Sequence, residues 1–289
     1  CLLALFLNFY IVVVNGKSLR NGTKQNPSVV IQLIMAVINI TMRLLLLIQF
    51  MALLFPDLRF GELNYIVIIL LPFQMYISNW LISWLCAYYC VGIVTFTCRV
   101  FIWVRKTLLS WLPYVLILSG VGSIALSIPT IWTVNMTEVH YAENSTVPAI
   151  IYVPPVPLSS AYTITSMFLS FCLPCVISFV SLMTTVVALL KHICNIEKQG
   201  SGFSPPQVHA HVNAIRTMVL LLLLSVTFYI SEMIIYNIVD YYNPLVVVCW
   251  LLVTVVPTLE AAIVIQSSSR LSKKILGIFC AGRVVKGES

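Results

Sequence analysis

Three ionisable side chains lie inside long, otherwise uncharged apolar stretches of this 289-residue sequence, namely Arg43, Glu232 and Glu260. An ionisable group in such a stretch is costly unless it faces a polar interior or finds a partner. Counted in helical rise, Asn8, Arg43 and Glu260 lie at similar depths. We therefore predict that Asn8, Arg43 and Glu260 form a structural polar cluster that ties three helices together. The alternative is an Arg43 that extends to a polar surface and a protonated Glu260.

Other reactive residue types show no spacing that is typical of a catalytic or metal site. Cys172 and Cys175 have the spacing of a redox pair, but they lie in an apolar stretch beside Pro174, where small packing residues are the simpler interpretation. His209 and His211 have no acidic or thiol partner at metal-ligand spacing. No apolar stretch contains a lysine, which excludes a retinal Schiff base. The sequence thus indicates neither an enzyme nor a bound cofactor or metal ion.

Long apolar runs dominate the chain. It is 60% hydrophobic and 9% charged, and its mean hydropathy is +1.01. A soluble domain cannot cover its surface with so few polar residues. Most runs exceed the ~20 residues with which an α-helix crosses ~30 Å of hydrocarbon. The runs lie at about 1–15, 28–54, 64–92, 108–133, 161–190, 212–238 and 245–268, and a short tail follows at 269–289.

These runs predict an all-α membrane protein, because backbone groups in lipid must be paired within their own helix or in a closed barrel. We predict a single domain over residues 1–289, a bundle of seven transmembrane helices. The first run is shorter than the others, so we expect the outer part of its helix to lie outside this sequence. A small-solute transporter is a weaker alternative, since the two halves show no inverted repeat and no file of charged residues.

The basic residues indicate how the helices are oriented. Of the 16 Lys and Arg residues, all but Arg43 and Arg59 lie in or beside the connections after the first, third and fifth runs, or in the tail. Cytoplasmic segments of membrane proteins are enriched in these residues. The pattern predicts an outer amino terminus and an inner carboxyl terminus. The net charge of +7 fits contact with anionic membrane lipid or an acidic partner better than binding to nucleic acid.

Glycosylation sequons provide a separate indication of sidedness. Asn135 and Asn144 begin Asn-x-Thr sequons in the connection between the fourth and fifth runs, which the charge pattern places outside. Asn21 and Asn39 also begin sequons, but one lies in a basic connection and the other within an apolar run. Because glycans are added to accessible outer segments, we predict sugar on Asn135 and Asn144 only.

Several stretches share residues with a known family. They are 78–81 (SNWL), 101–106 (FIWVRK), 178–182 (SFVSL), 210–217 (AHVNAIRT), 257–258 (PT) and 270–273 (RLSK). In these stretches the chain resembles the bitter taste receptors, the taste receptor type 2 family. The likeness runs in register along nearly the whole chain, and residues 210–217 are its most specific part.

The sequence also departs from that family at identifiable positions. Gly92 stands where the family has a lysine after the tyrosine of its third helix. Glu260 and Ala261 replace a His-Ser pair, and Ser268 and Ser269 replace an Asn-Pro pair. These departures concern the machinery of activation more than the fold, and they suggest a divergent member.

Six residues are predicted to line a ligand site in the outer half of the bundle: Leu71, Met75, Asn79, Phe228, Glu232 and Trp250. The first three repeat at i, i+4 and i+8 on one face of the third helix, and Phe228 and Glu232 repeat at i, i+4 on the sixth. Aromatic and thioether walls with one amide and one carboxyl suit promiscuous binding of small apolar or weakly cationic molecules. The alternative is ordinary packing between helices.

The resemblance implies a G-protein-coupled receptor of the plasma membrane that binds small bitter agonists and activates a heterotrimeric G protein of the gustducin/Gi class. Five basic side chains at the inner end form a rim placed to face the G protein: Arg105, Lys106, Lys191, His211 and Arg216. Anionic lipid is the alternative partner of this rim. A vomeronasal, or pheromone-type, receptor is the nearer alternative for the whole chain, and residues 210–217 favour the bitter receptors.

Overall fold

The computed structural model describes residues 2–21, 27–54, 61–94, 99–133, 159–199, 205–237, 243–268 and 270–275. Every regular element within these ranges is helical. Seven helices are long and apolar enough to cross a membrane. The predicted fold class, an all-α bundle of seven transmembrane helices, is therefore confirmed, and its orientation in the membrane stays a prediction.

The helices are named α1 to α8 in chain order. They are α1 (Leu2–Arg20), α2 (Pro27–Leu54), α3 (Gly61–Ile93), α4 (Arg99–Ser127), α5 (Ser160–Met167, Phe168–Cys172 and Leu173–Gln199), α6 (Pro205–Asn237), α7 (Pro244–Ser267) and α8 (270–275). A 3₁₀ turn, Ile128–Thr133, continues α4, and the middle part of α5 is a π-helix.

Some helices extend beyond their apolar runs. The run predicted at 1–15 becomes α1, which ends at Arg20 with Lys17 also in its last turn. Cations near a helix carboxyl end interact favourably with the helix dipole. Similarly, α6 begins at Pro205, ahead of the run predicted at 212–238. Hydrophobicity marks the part of a helix that lies in lipid, whereas backbone hydrogen bonding continues into the polar region.

Helix α3 is the central element of the bundle. It packs against α2, α4, α5 and α6, and the ring of helices closes where α1 and α2 contact α7. In the membrane-spanning part of α3, 61% of the residues are buried, compared with 22% in α4. Polar side chains on α3 therefore contact protein, while much of α4 faces the surroundings of the bundle.

The exposed cations gather at one end, which we call the basic end; the opposite end is the distal end. Lys17, Lys106, Arg216 and Lys273 are exposed there on four different helices. Helix α8 packs beside α1 at the same end. The Tyr10 hydroxyl donates to the Leu271 carbonyl at 2.7 Å, and Leu271 is fully buried.

Candidate functional site

A compact set of side chains fills the bundle towards the distal end, and we call it the distal cluster. Its buried members come from α2, α3, α6 and α7: Met42, Met75, Tyr76, Phe228, Tyr229, Val253 and Val256. The Tyr229 ring stacks on Phe171 of α5 with ring centroids 3.8 Å apart and planes 6° apart. The cluster thus combines thioether and aromatic surfaces from five helices.

The structure brings two of the six predicted ligand-site residues, Met75 and Phe228, into this cluster. Leu71 and Glu232 are half-buried, one helical turn beyond Met75 and Phe228 respectively, towards the distal end. Trp250 of α7 is 39% exposed, so its side chain lies beside the distal cluster rather than among its members.

Several members of the distal cluster were not predicted from the sequence, including Met42, Tyr76 and Tyr229. They occur within runs that are apolar on every face, so no contrast between apolar and polar positions distinguishes an inward residue from a lipid-facing one. Tyr76 and Tyr229 were a usable signal, because a tyrosine hydroxyl in the middle of an apolar run is disfavoured against lipid. The Tyr229 hydroxyl itself has no hydrogen-bond partner among the described residues.

The third predicted residue of α3, Asn79, lies directly on the basic-end side of the distal cluster. Pro174 has no backbone N–H, so the carbonyl four residues earlier, on Ser170, lacks its helical donor. The Asn79 Nδ2 atom donates to that carbonyl at 3.1 Å. The Ser225 hydroxyl of α6 donates to Asn79 Oδ1 at 2.6 Å. These contacts, here called the Asn79 network, join α3, α5 and α6 through one side chain that is 3% exposed.

A second hydroxyl of α3 supports the same part of α5. The Ser83 Oγ atom lies 2.7 Å from the Pro174 carbonyl oxygen, to which it donates, and 3.0 Å from the Ser178 hydroxyl. Just before the proline, the Leu173 N–H bonds the Phe168 carbonyl five residues back, as in a π-helix. The irregular backbone of α5 is thus satisfied from α3, and the i, i+4 spacing of Asn79 and Ser83 in the sequence was a signal of it.

The predicted polar cluster is assembled around a residue that the prediction did not include, Asn39 of α2. The Asn39 Nδ2 atom donates to Glu260 Oε2 at 2.8 Å and to Asn8 Oδ1 at 3.4 Å. The Asn8 amide in turn donates to the Pro257 carbonyl of α7 at 3.5 Å. We call these contacts the Asn39 network; it joins α1, α2 and α7, and Asn8, Asn39 and Glu260 are all buried.

Arg43 lies one turn of α2 from Asn39, towards the distal end, and it is fully buried. Its Nη2 atom donates to the Thr254 carbonyl of α7. Its Nε and Nη1 atoms have no hydrogen-bond partner among the described residues. Asn8 and Glu260 are thus connected through Asn39, whereas Arg43 reaches α7 separately. The spacing of four residues between Asn39 and Arg43 was the sequence signal that both lie on one face.

A further polar chain lies at the basic end. The Asn15 amide donates to Gln32 at 3.5 Å, and the Gln32 amide donates to the Tyr89 hydroxyl of α3 at 3.4 Å. Arg270 of α8 donates to Asn15 Oδ1. Helices α1, α2, α3 and α8 are therefore linked where a partner on the basic side would meet the bundle.

The remaining predicted residues are placed as follows. Lys106, Lys191 and Arg216 are exposed at the basic end. Arg105 and His211 occupy helical positions in α4 and α6 whose side chains lie outside the described part of the structure. Asn135 and Asn144 also lie outside the described residues.

Comparison with known proteins gives one consistent result. Residues 1–283 match the model of a family described as Taste receptor protein (TAS2R). Similar curated proteins include taste receptor type 2 member 40 of Gallus gallus, 26% identical over 209 residues, which are 70% of this chain and 65% of that protein. Member 60 of Homo sapiens is 26% identical over 155 residues, 53% of this chain and 48% of that protein. Member 16 of Pongo pygmaeus is 25% identical over 177 residues, 58% of each chain. The chain spans about half to two thirds of the length of these curated relatives.

Proposed function

This chain belongs to the taste receptor protein (TAS2R) family, and from that membership we propose that it is a G-protein-coupled bitter taste receptor of the plasma membrane. The observation that carries the proposal is the family match over residues 1–283. It agrees with a bundle of seven membrane-spanning helices that has an apolar and aromatic cluster towards one end and exposed cations at the other. Glycans at Asn135 and Asn144 remain part of the proposal.

The agonist site in this proposal is the distal cluster together with the half-buried Leu71 and Glu232. Thioether and aromatic surfaces accommodate ligands of different shapes, because they are polarizable and their attraction to a ligand depends little on the direction of contact. The Glu232 carboxyl supplies one polar group that favours weakly cationic agonists. Trp250 borders the site on α7, and Asn79 forms its floor with an amide already engaged between helices.

Signal transfer in this proposal follows from the order of residues along α3 and α6. On α3, Met75 precedes Asn79 by one turn, and on α6, Ser225 precedes Phe228 by one turn. The pair Met75 and Phe228 therefore lies directly on the distal side of the bond between Ser225 and Asn79. An agonist that inserts between Met75 and Phe228 moves α3 and α6 apart. This weakens the hydrogen bond between Ser225 and Asn79 and releases α6 at the basic end.

The G protein, of the gustducin/Gi class in this proposal, meets the basic end, where Lys106, Lys191 and Arg216 are exposed on α4, α5 and α6. The decisive experiment measures calcium release in cells that express this chain with a gustducin-chimeric G protein and are challenged with a panel of bitter compounds. Dose-dependent release that is absent from untransfected cells is the expected result. A receptor that reaches the cell surface and responds to none of a broad panel contradicts the proposal.

Replacing Phe228 with alanine is expected to raise the agonist concentration for half-maximal response by about tenfold, since alanine lacks the dispersion contacts of an aromatic wall, and a loss of about 1.4 kcal/mol is tenfold in affinity. The measurement is the dose-response curve of an agonist found in the panel, at matched surface expression. Ile230→Ala is the control, because Ile230 lies two residues away on α6 and is exposed. Equal potency for Phe228→Ala and Ile230→Ala removes the distal cluster as the binding site.

A further inference from the structure

Arg43 of α2 is a fully buried cation that uses only part of its hydrogen-bonding capacity. Its Nη2 atom donates to the Thr254 carbonyl of α7, whereas Nε and Nη1 meet no acceptor within the described residues. A guanidinium has five N–H donors and stays charged. Because a buried donor without an acceptor destabilises the fold, the remaining donors of Arg43 indicate an acceptor that comes from outside the protein chain.

The positive charge of Arg43 also lacks a carboxylate in contact with it among the described residues. Helix α2 contains no acidic residue, and α7 contains one, Glu260. Glu260 lies six residues from Thr254 along α7, about 9 Å of helical rise. Its Oε2 atom accepts from Asn39 at 2.8 Å. The nearest carboxyl of the two helices is therefore engaged one turn away from the guanidinium.

From the unmet donors and the unmatched charge together, we propose that Arg43 binds a small monovalent anion, chloride, between α2 and α7. Water satisfies donors but does not neutralise a charge, and a buried charge is tolerated when it is both hydrogen-bonded and paired. A halide accepts from several N–H groups at once and has no fixed directions of acceptance. One bound chloride thus meets both requirements of Arg43.

The surroundings of Arg43 favour a halide over a larger oxyanion. Arg43 directly follows Met42, and Thr254 directly follows Val253, and both Met42 and Val253 are buried members of the distal cluster. These apolar neighbours supply no further donor to an anion with three or four oxygens. The anion site therefore lies between the distal cluster and the Asn39 network, where α2 meets α7.

A bound anion has a structural consequence for the pairing of these helices. It holds the guanidinium in the position from which Nη2 donates to the Thr254 carbonyl. Binding to the folded bundle alone raises the stability of that bundle. The predicted orientation opens the distal end to extracellular fluid, where chloride is the most abundant small anion.

The test measures thermal unfolding of the purified full chain in detergent while sodium gluconate is replaced by sodium chloride at constant ionic strength. Chloride is expected to raise the melting temperature in a saturable way, by roughly 3–6 °C at about fifteen times its dissociation constant. Bromide acts in the same way, and gluconate is too large for a buried site beside one side chain. Replacing sodium with choline leaves the chloride response unchanged.

Two variants remove the site in different ways. Arg43→Leu removes the donors and is expected to abolish the chloride response. Asn39→Asp/Glu260→Gln exchanges the amide and the carboxyl across their 2.8 Å contact, so that a carboxylate lies on α2 four residues from Arg43 and on the same face. This double variant is expected to fold and to lose the chloride response, because its own carboxylate neutralises Arg43.

Two controls keep the site. Arg216→Gln removes a cation that is exposed at the basic end, and it leaves the chloride response unchanged. Glu260→Gln removes the nearest carboxyl and retains the response, with half-saturation at an equal or lower chloride concentration. The controls thus separate an effect of Arg43 from an effect of total charge and from an effect of Glu260.

Each of two outcomes overturns the proposal. The first is an unchanged chain that unfolds at the same temperature in chloride and in gluconate, because water then suffices for the donors of Arg43. The second is a chloride response that persists in Arg43→Leu or in the double variant, because the anion then acts elsewhere. If Arg43→Leu does not fold, the double variant decides. Neither agonist nor G protein enters this measurement, so its result is independent of the proposed receptor activity.

Discussion

Cells that express the Asn39→Leu variant are expected to show several-fold less receptor at their surface than cells that express the unchanged chain. The substitution removes the only donor that connects Glu260 to Asn8 in the Asn39 network. It leaves a buried carboxyl and a buried amide oxygen without that partner. Leaving a buried hydrogen-bonding group without its partner costs about 1–3 kcal/mol, and two such groups amount to a large part of the stability of a typical domain.

The measurement is surface labelling of an epitope-tagged chain, together with thermal unfolding of the purified protein. Thr41→Val is the matched control: Thr41 lies two residues away on α2, is exposed, and among the described residues its hydroxyl bonds to the Val37 carbonyl of its own helix. Glu260→Gln is expected to lie close to the unchanged chain, because the glutamine oxygen still accepts from Asn39. Wild-type surface level and melting temperature for Asn39→Leu contradict the assigned role of the network.

Ser225→Ala is expected to raise signalling without agonist by roughly fivefold, since a side-chain hydrogen bond contributes about 1 kcal/mol to the state that contains it. The alanine removes the donor that ties α6 to Asn79 of α3. The contact between Asn79 and the Ser170 carbonyl of α5 is unaffected. Asn79→Leu is expected to have the larger effect, because it also removes the donor to the Ser170 carbonyl. Pro174 already deprives that carbonyl of its helical donor.

Basal G-protein activation, normalised to surface level, gives the first measurement. Thr227→Val is the control on α6, since within the described part of the chain the Thr227 hydroxyl bonds to the Leu223 carbonyl of its own helix. A double-mutant cycle of Asn79→Leu and Ser225→Ala in thermal unfolding gives the second, and it needs no receptor activity. If the two substitutions destabilise the protein in a strictly additive way, the bond between Asn79 and Ser225 is contradicted. If they are coupled in thermal unfolding but basal activity is unchanged, the Asn79 network has only a structural role.

The fold class and the family could be predicted from the sequence because both depend on local properties. Whether a run crosses a membrane depends on its length and polarity, so the runs of 28–54 and 245–268 could be recognised without knowing their neighbours. The same reasoning singled out Asn8, Arg43 and Glu260, since a polar residue in an apolar run needs a partner. The sidedness, the glycans and the ligand and G-protein contacts remain predictions.

The partner of each buried polar residue was decided only by the tertiary structure. Arg43 bonds to the Thr254 carbonyl, and Glu260 to Asn39. Asn79, predicted on the ligand face, uses its amide on a carbonyl 91 residues away. Spacing along a helix tells which side chains share a face, but in a run that is apolar all round it does not tell which way that face points. Rotation about each helix axis is set by packing against the neighbouring helices. It is also set by side chains of those helices that bond a carbonyl which a proline such as Pro174 leaves unpaired. Both kinds of contact exist only once the bundle has assembled.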